Sequence, residues 1–184
     1  MFYDEHIYER LTNNTEYWWC DKTIHSLIVG PNKNINAFKQ YLIKRFTEQD
    51  YEIVEITSDM SKEEAITIMK NLFEKWSNRA KLFERRRVTF DDIPELYKKN
   101  NIKGIRILIS GHFELLKNQI HTFLHLGQIA NMHVIMFKED FILPDTIKKD
   151  VEAFVILRDD AAAFKEPNCD KNFIIFDTMK MMTA

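Results

Sequence analysis

The sequence contains little glycine, proline and cysteine, and each shortage excludes a class of protein. Its 184 residues include four glycines, four prolines and two cysteines. So few glycines and prolines make long flexible linkers unexpected, and Cys20 and Cys169 are too few for a disulfide framework. No apolar run approaches the roughly 20 residues that a membrane-spanning helix requires. We therefore expect a protein of a reducing, intracellular environment without a membrane partner.

An excess of charge of one sign is also missing, since the formal net charge is −2. Without a global basic field, the overall charge does not favour a nucleic acid as the partner. The composition is 45% hydrophobic and 29% charged, as in ordinary globular proteins. The length allows one domain with a sizeable core. We predict a single α/β domain over residues 24–178, with an aromatic leader at 1–23 and a methionine-rich tail at 179–184.

Short apolar runs alternate with helical stretches along this domain. Strands are predicted at 24–29, 52–56, 105–110, 133–137, 152–157 and 172–177. Helices are predicted at 35–47, 61–85, 91–100 and 112–131, with a short turn near 144–150. Continuous apolar strands that alternate with helices favour a mostly parallel sheet covered on both faces. In this sheet we expect strand 24–29 to lie next to strand 105–110.

The first strand is followed by a turn that looks like a phosphate-binding loop without the residues that bind phosphate. A P-loop has the pattern G-x-x-x-x-G-K-[ST], in which the lysine and the hydroxyl serve the phosphates and Mg²⁺. Gly30 supplies the first glycine, but Ile35, Asn36 and Ala37 occupy the three motif positions that follow. We define a degenerate nucleotide loop (Walker A) that consists of Gly30, Lys33, Asn34, Ile35, Asn36 and Ala37. Lys33 or Lys39 remains a candidate replacement for the missing lysine.

The strand at 105–110 lacks the acid that a Walker B strand uses to hold Mg²⁺. It ends in Ser110 and Gly111, and the next carboxylate is Glu114. Because a negative charge is favoured at a helix N-terminus, we expect Glu114 to start the following helix. Ser110 and Gly111 therefore form a degenerate Walker B site.

With these two features, the order of elements resembles the DNA-packaging ATPases of large DNA viruses, the poxvirus type in the FtsK–HerA branch of P-loop NTPases. The resemblance is clearest in LISGHFELLKNQIHTFLHLGQIANMHVIMFKEDFILPDTIKKDVEAFVIL. It implies a three-layer P-loop NTPase-like fold. The family's arginine turn would fall at Gly127 and Gln128, with glutamine in place of arginine. Its polar sensor would fall at Lys138 or Glu139, and its proline at Pro144.

Relative to this family, five features are missing: the phosphate lysine, the Mg²⁺-binding hydroxyl, the Walker B acids, the arginine and the polar sensor. Their loss implies a protein without ATPase activity and without a cofactor. The resemblance then implies a structural or assembly component of a DNA virus, located in the host-cell cytoplasm or the virion. Members of the family act as rings, so the expected partner is another copy, an active packaging ATPase or a virion component. The first alternative is a deviant NTPase whose Mg²⁺ is held by Glu114 or Asp59.

The second alternative is a DNA-binding module that uses a basic patch near the end of the long helix at 61–85. A cluster of cations with interleaved aromatic residues can follow a phosphate backbone. Cations near a helix C-terminus are also favoured by the helix dipole, without any ligand. The patch consists of Arg79, Lys81, Arg85, Arg86 and Arg87.

Two histidines, His121 and His125, lie four residues apart on one predicted helix. This spacing can hold Zn²⁺ when further ligands complete the site. No HExxH pattern and no third ligand in register accompanies them. We therefore predict no metal site from the sequence.

Overall fold

The computed structural model describes residues 25–82, 93–151, 153–159, 161–165 and 174–177. The predicted leader at 1–23, the tail at 179–184 and the two cysteines lie outside the described residues. So do three members of the basic patch, Arg85, Arg86 and Arg87. No helix in the described part of the chain is both long enough and apolar enough to span a bilayer.

Seven strands, five α-helices and one 3-10 turn make up these residues. The strands are β1 (Ser26–Val29), β2 (Glu52–Ile56), β3 (Ile105–Ile109), β4 (Met132–Lys138), β5 (Ala153–Leu157), β6 (Ala161–Lys165) and β7 (Ile174–Asp177). The helices are α1 (Asn32–Glu48), α2 (Lys62–Ala80), α3 (Ile93–Lys99), α4 (Lys117–Leu126), α5 (Asp145–Lys148) and a 3-10 turn at Gln128–Ala130 after α4.

The strands form one sheet in the order β2-β3-β4-β1-β5-β6-β7. The first five are parallel, and β6 and β7 extend the sheet in antiparallel pairs. The predicted mostly parallel sheet is confirmed, but the predicted contact between the first strand and strand 105–110 is wrong. β4 lies between them and pairs with both β1 and β3. Strands buried on both faces are mostly apolar, so their sequences carry no alternating pattern that identifies a neighbour.

Helices cover both faces of the sheet, which gives the predicted three layers. α1 packs on one face through Phe38, Leu42 and Phe46, all of them fully buried. α2, α4 and α5 supply buried side chains to the core on the opposite face. Right-handed crossovers produce this division. The connection from β1 runs to β2 at one edge of the sheet, whereas the connections from β2 through β3 and β4 to β5 run in the opposite direction, so their helices cover the opposite face.

A local signal explains the start of α2. Ser61 and Glu64 form the capping box at the start of α2, as the S-x-x-E spacing favours. α4 begins five positions later than predicted, at Lys117, because the chain first turns through His112 with φ of 59°. Glu114 consequently lies in that turn and not at the helix start. Strand β6, with the sequence AAAFK, was not predicted because alanine is a poor strand former.

Candidate functional site

A cavity of about 650 Å³ opens at the carboxyl ends of β3 and β4, beside the first turn of α1. Open α/β sheets bind ligands at this edge, near the point where the strand order reverses. Here the order reverses between β1 and β4. The cavity is lined by Asn32, Ile35, Asn36, Ser58, Ser110, Phe113, Phe137, Lys138, Glu139 and Asp140. It therefore brings together the predicted nucleotide loop, the Walker B position and the sensor position.

The predicted loop is helical from Asn32 onward, so only Gly30 and Pro31 connect β1 to α1. The backbone amides of Asn34 and Ile35 donate to the Pro31 carbonyl at 2.9 and 3.0 Å. A P-loop instead wraps several backbone amides around a phosphate before its helix begins. Proline is well suited to a helix start, and no second glycine interrupts the helix at Ile35. The wide turn expected from the sequence is therefore replaced by a two-residue turn.

Gly30 is explained by packing. Its φ is not positive, since none of the described glycines has a positive φ. A Cβ at this position would lie 2.7 Å from the Leu157 carbonyl oxygen and 2.9 Å from the Leu157 Cβ. Any larger residue would displace β5. The glycine thus has a structural function whether or not a phosphate binds.

The charged groups that line the cavity are two carboxylates and one ammonium group. Asn32 donates its side-chain amide to the carboxylate of Glu139. This contact places a negative charge beside the first turn of α1, where the helix dipole favours an anion. Lys138 lies 3.3 Å from the carboxylate of Asp140 and 5.2 Å from the centre of the Phe113 ring. The net charge of these three lining groups is negative.

The two candidate replacement lysines form ion pairs, and neither belongs to the cavity lining. Lys33 contacts Asp159 at 2.8 Å, and Lys39 contacts Glu55 at 3.1 Å. Asp159 also accepts a hydrogen bond of 3.2 Å from the side chain of Asn34, which is buried. The hydrogen bonds from Lys33 and Asn34 lower the pKa of Asp159. The first turn of α1 is thereby tied to the segment after β5.

The Walker B position contains no carboxylate and has no room for one at Gly111. Ser110 follows β3 and lines the cavity, while its amide donates to the Ile56 carbonyl at 2.8 Å. A Cβ on Gly111 would lie 2.5 Å from both the Cα and the backbone nitrogen of Ser58. An aspartate at that position would therefore collide with the chain that follows β2.

The two acids considered as alternative Mg²⁺ ligands are not part of the cavity lining. Asp59 is exposed, and a hydrogen bond from the side chain of Thr57 lowers its pKa. Glu114 is also exposed and lies 3.7 Å from the ammonium group of Lys117.

Comparison with known proteins identifies the fold alone. No protein-family model matches the sequence, and a search of curated proteins found no match. The cytoplasmic domain of the type VII secretion ATPase EccC from Thermomonospora curvata superposes with a TM-score of 0.62 at 8% identity, over 84% of this chain and 25% of that chain. EssC from Geobacillus thermodenitrificans (ATPases 2 and 3) gives 0.57 at 12% identity, over 76% and 33%.

A viral protein is also similar. The genome packaging NTPase B204 from Sulfolobus turreted icosahedral virus 2, in complex with ATPγS, gives a TM-score of 0.52 at 11% identity, over 84% of this chain and 97% of that chain. This chain has the P-loop ATPase fold. It corresponds to a quarter of the EccC chain, a third of the EssC chain and nearly all of the B204 chain.

Within this P-loop ATPase fold, the predicted arginine turn lies far from the cavity. The Gly127 carbonyl accepts a hydrogen bond of 2.9 Å from the amide of Met132, the first residue of β4. A Cβ on Gly127 would lie 3.4 Å from the ring of His25, which precedes β1. Gly127 and Gln128 therefore occupy the amino-terminal edge of the sheet, whereas the cavity lies at the carboxyl edge. Within one chain the two sites do not meet.

The described part of the basic patch has a structural contact. Arg79 donates from its guanidinium group to the Ala130 carbonyl at 2.8 Å, which joins α2 to the 3-10 turn. Burial lowers the pKa of Arg79. Lys81 is exposed immediately after α2. Of the patch members within the described residues, only Lys81 thus extends into solvent.

Proposed function

We propose that this chain is a P-loop-fold protein that does not hydrolyse nucleotide and that acts as a structural or assembly component of a DNA virus. The observation that carries the proposal is the start of α1 at Asn32, directly after Gly30 and Pro31. Phosphoryl transfer on this fold depends on a loop that holds the phosphates and on an acid that holds Mg²⁺. The two-residue turn and the serine at position 110 supply neither of these groups.

The electrostatics of the cavity support the same proposal. Glu139 and Asp140 face the space that a triphosphate would need. The one lining cation, Lys138, already pairs with Asp140. A nucleotide would therefore have to displace a carboxylate from the first turn of α1, and its phosphates would be repelled by the second carboxylate. The cavity also lacks a carboxylate at the Walker B position, where this fold otherwise holds Mg²⁺.

The viral setting is supported by the resemblance read from the sequence and by one similarity in fold. The element order resembles the packaging ATPases of large DNA viruses, as the sequence indicated. The chain is also similar in fold to B204 along 97% of that protein's length, whereas it corresponds to a fraction of the secretion ATPases. We infer that the fold is retained as a scaffold that presents surfaces to a partner, in the way that ring subunits contact one another.

Nucleotide titration tests the loss of activity. We expect no saturable binding of Mg²⁺-ATP in calorimetry, that is, a Kd weaker than about 1 mM, and no phosphate release above background. Ser110→Tyr, which fills the cavity from its wall, is the matched control and should give the same result as the wild type. Saturable ATP binding that Ser110→Tyr abolishes would overturn the proposal. Binding that is lost in Lys33→Ala or Lys39→Ala would support a deviant NTPase instead.

The partner surface is proposed to lie on the loop between β4 and α5. Phe141 is 42% exposed and Ile142 is 73% exposed, and Leu115, after the neighbouring strand β3, is 38% exposed. Adjacent large apolar side chains on a soluble surface are typical of an interaction site. The occupant we propose is a second copy of this chain, since the parent family assembles into rings.

Sedimentation analysis tests this surface. Burying Ile142 should contribute about 1.5–3 kcal/mol per copy, so Ile142→Ser is expected to weaken self-association by about 10-fold or more. Leu126→Ser is the control, because Leu126 is also partly exposed but lies at the end of α4, toward the other edge of the sheet. A wild-type protein that stays monomeric at all concentrations would exclude a second copy as the partner. Equal association of the two variants would instead exclude this surface as the interface.

A further inference from the structure

Two histidines on α4 and one aspartate after α5 converge outside the cavity. His121 and His125 lie one helical turn apart, and Asp150 is 29 positions along the chain from His121. No third ligand lies in register with the histidines in the sequence, which therefore predicts no metal site. The third ligand instead comes from a different segment, which the packing of α5 against α4 brings into place.

The ligand atoms of these three residues are already close to one another. His121 Nδ1 lies 2.6 Å from Asp150 Oδ2, and His125 Nε2 lies 3.2 Å from Asp150 Oδ1. The two rings are 4.5 Å apart and nearly perpendicular, at 83°. One donor atom from each residue falls within 4.8 Å of the other two. Metal–ligand distances of about 2.0–2.2 Å require such a spacing, so side-chain rotations alone could close the site.

We propose that His121, His125 and Asp150 form a binding site for a divalent transition metal ion, with Zn²⁺ as the expected occupant. Two imidazole nitrogens and one carboxylate oxygen suit Zn²⁺ and its neighbours in the first transition row, whereas Mg²⁺ and Ca²⁺ prefer oxygen ligands alone. The side chains of His121 and His125 are 42% and 54% exposed. The fourth coordination position therefore faces solvent and can hold a water molecule or a ligand from a partner.

A metal ion at this site would join two segments that now meet through hydrogen bonds. His121 Nδ1 also lies 3.1 Å from the Thr146 carbonyl oxygen within α5. Zn²⁺ would replace this contact with coordination and would fix α4 to the connection between α5 and β5. Because the ligands are preassembled in the folded chain, an ion that binds them stabilises the native state by mass action.

Calorimetry of the full chain with ZnCl₂ in metal-free buffer tests the proposal. We expect one ion per chain with a Kd of about 10 µM or tighter, and a rise in Tm of about 5 °C when Zn²⁺ exceeds the Kd by 100-fold. His121→Ala, His125→Ala and Asp150→Asn should each weaken binding by about 10-fold or more. Co²⁺ should give visible absorption bands of a nitrogen- and oxygen-bound ion, which the same variants remove.

Two controls keep the outcome specific. Asn118→Ala changes an exposed residue of the same helix that contributes no ligand, and it should bind Zn²⁺ as the wild type does. Cys20→Ser/Cys169→Ser removes both thiols and should also leave the affinity unchanged. Binding that persists in His121→Ala/His125→Ala, or that disappears with the thiols, would overturn the proposal, as would the absence of binding in the wild type.

Discussion

Acidification from pH 7 to pH 4 is expected to remove at least about 3 kcal/mol from the free energy of unfolding. His25 is fully buried beside β1, and this burial lowers its pKa to about 4 from 6.5. Between these two values the unfolded chain takes up a proton that the folded chain does not. Stability is therefore fully present above pH 6.5 and is lost as the pH falls toward 4, by about 1.4 kcal/mol for each unit of pKa difference.

A second buried histidine adds to this loss. His133 lies opposite Arg106 in the β3–β4 pair, and its ring is 6.1 Å from that of His25. Burial, followed by the charge of Arg106, lowers the pKa of His133 well below its usual value. Among the described residues, neither ring nitrogen of His133 has a hydrogen-bond partner. A leucine of similar volume should therefore fit the site without leaving a polar group unsatisfied.

His133→Leu separates this effect from general acid denaturation. We expect the variant to be at least as stable as the wild type at pH 7, and the slope of its stability against pH to decrease by about one proton between pH 6.5 and 4. Urea unfolding at several pH values in this range, with a chelator present, measures both quantities. Asp159 and Glu64 also have lowered pKa values, so their contributions are lost as the pH falls below about 4.5. Both residues are the same in the two proteins, so this loss cancels in the comparison. Equal slopes for the variant and the wild type would contradict the assignment.

The sequence predicted which elements exist better than it predicted how they pair. Alternating apolar runs and helical stretches identified β1 to β5 and the helices between them. The neighbours of β1 could not be predicted from the sequence. Both β1 and β3 are short, mostly apolar strands that are buried throughout, and such strands fit any central position of a parallel sheet. The buried Arg106 within β3 also could not be anticipated. Its guanidinium lies 3.7 Å from the centre of the Tyr51 ring, a contact formed only by the folded chain.

The sequence placed the loop at the carboxyl edge of the sheet, where it lies, but it did not predict that the helix would begin at Asn32. Residue types showed that the lysine and hydroxyl of a P-loop are missing, and they could not show that the chain would become helical at Asn32. Gly30, Gly111 and Gly127 were interpreted as remnants of motifs. Each of them is required because backbone atoms of another segment lie within 3 Å of where a Cβ would be. A retained glycine is therefore weak evidence for phosphate binding on this fold.

Restoring the P-loop residues is expected to destabilise the protein strongly and to restore no activity. The triple variant Ile35→Gly/Asn36→Lys/Ala37→Thr should lose about 3–6 kcal/mol of unfolding free energy. Ile35 is 4% exposed and belongs to the core between α1 and the sheet. Truncating a buried isoleucine costs about 2–5 kcal/mol, and a glycine in a helix adds up to about 1 kcal/mol.

The double variant Asn36→Lys/Ala37→Thr provides the matched control. Both positions are exposed, so its stability should stay within about 1 kcal/mol of the wild type. Comparison of the two variants by urea unfolding assigns the loss to Ile35. Neither variant should release phosphate from ATP, because lysine or threonine side chains on a helix do not create a loop of free amides, and Ser110 still offers Mg²⁺ no carboxylate. Turnover by the triple variant would show instead that the connection after Gly30 can open into a phosphate-binding loop.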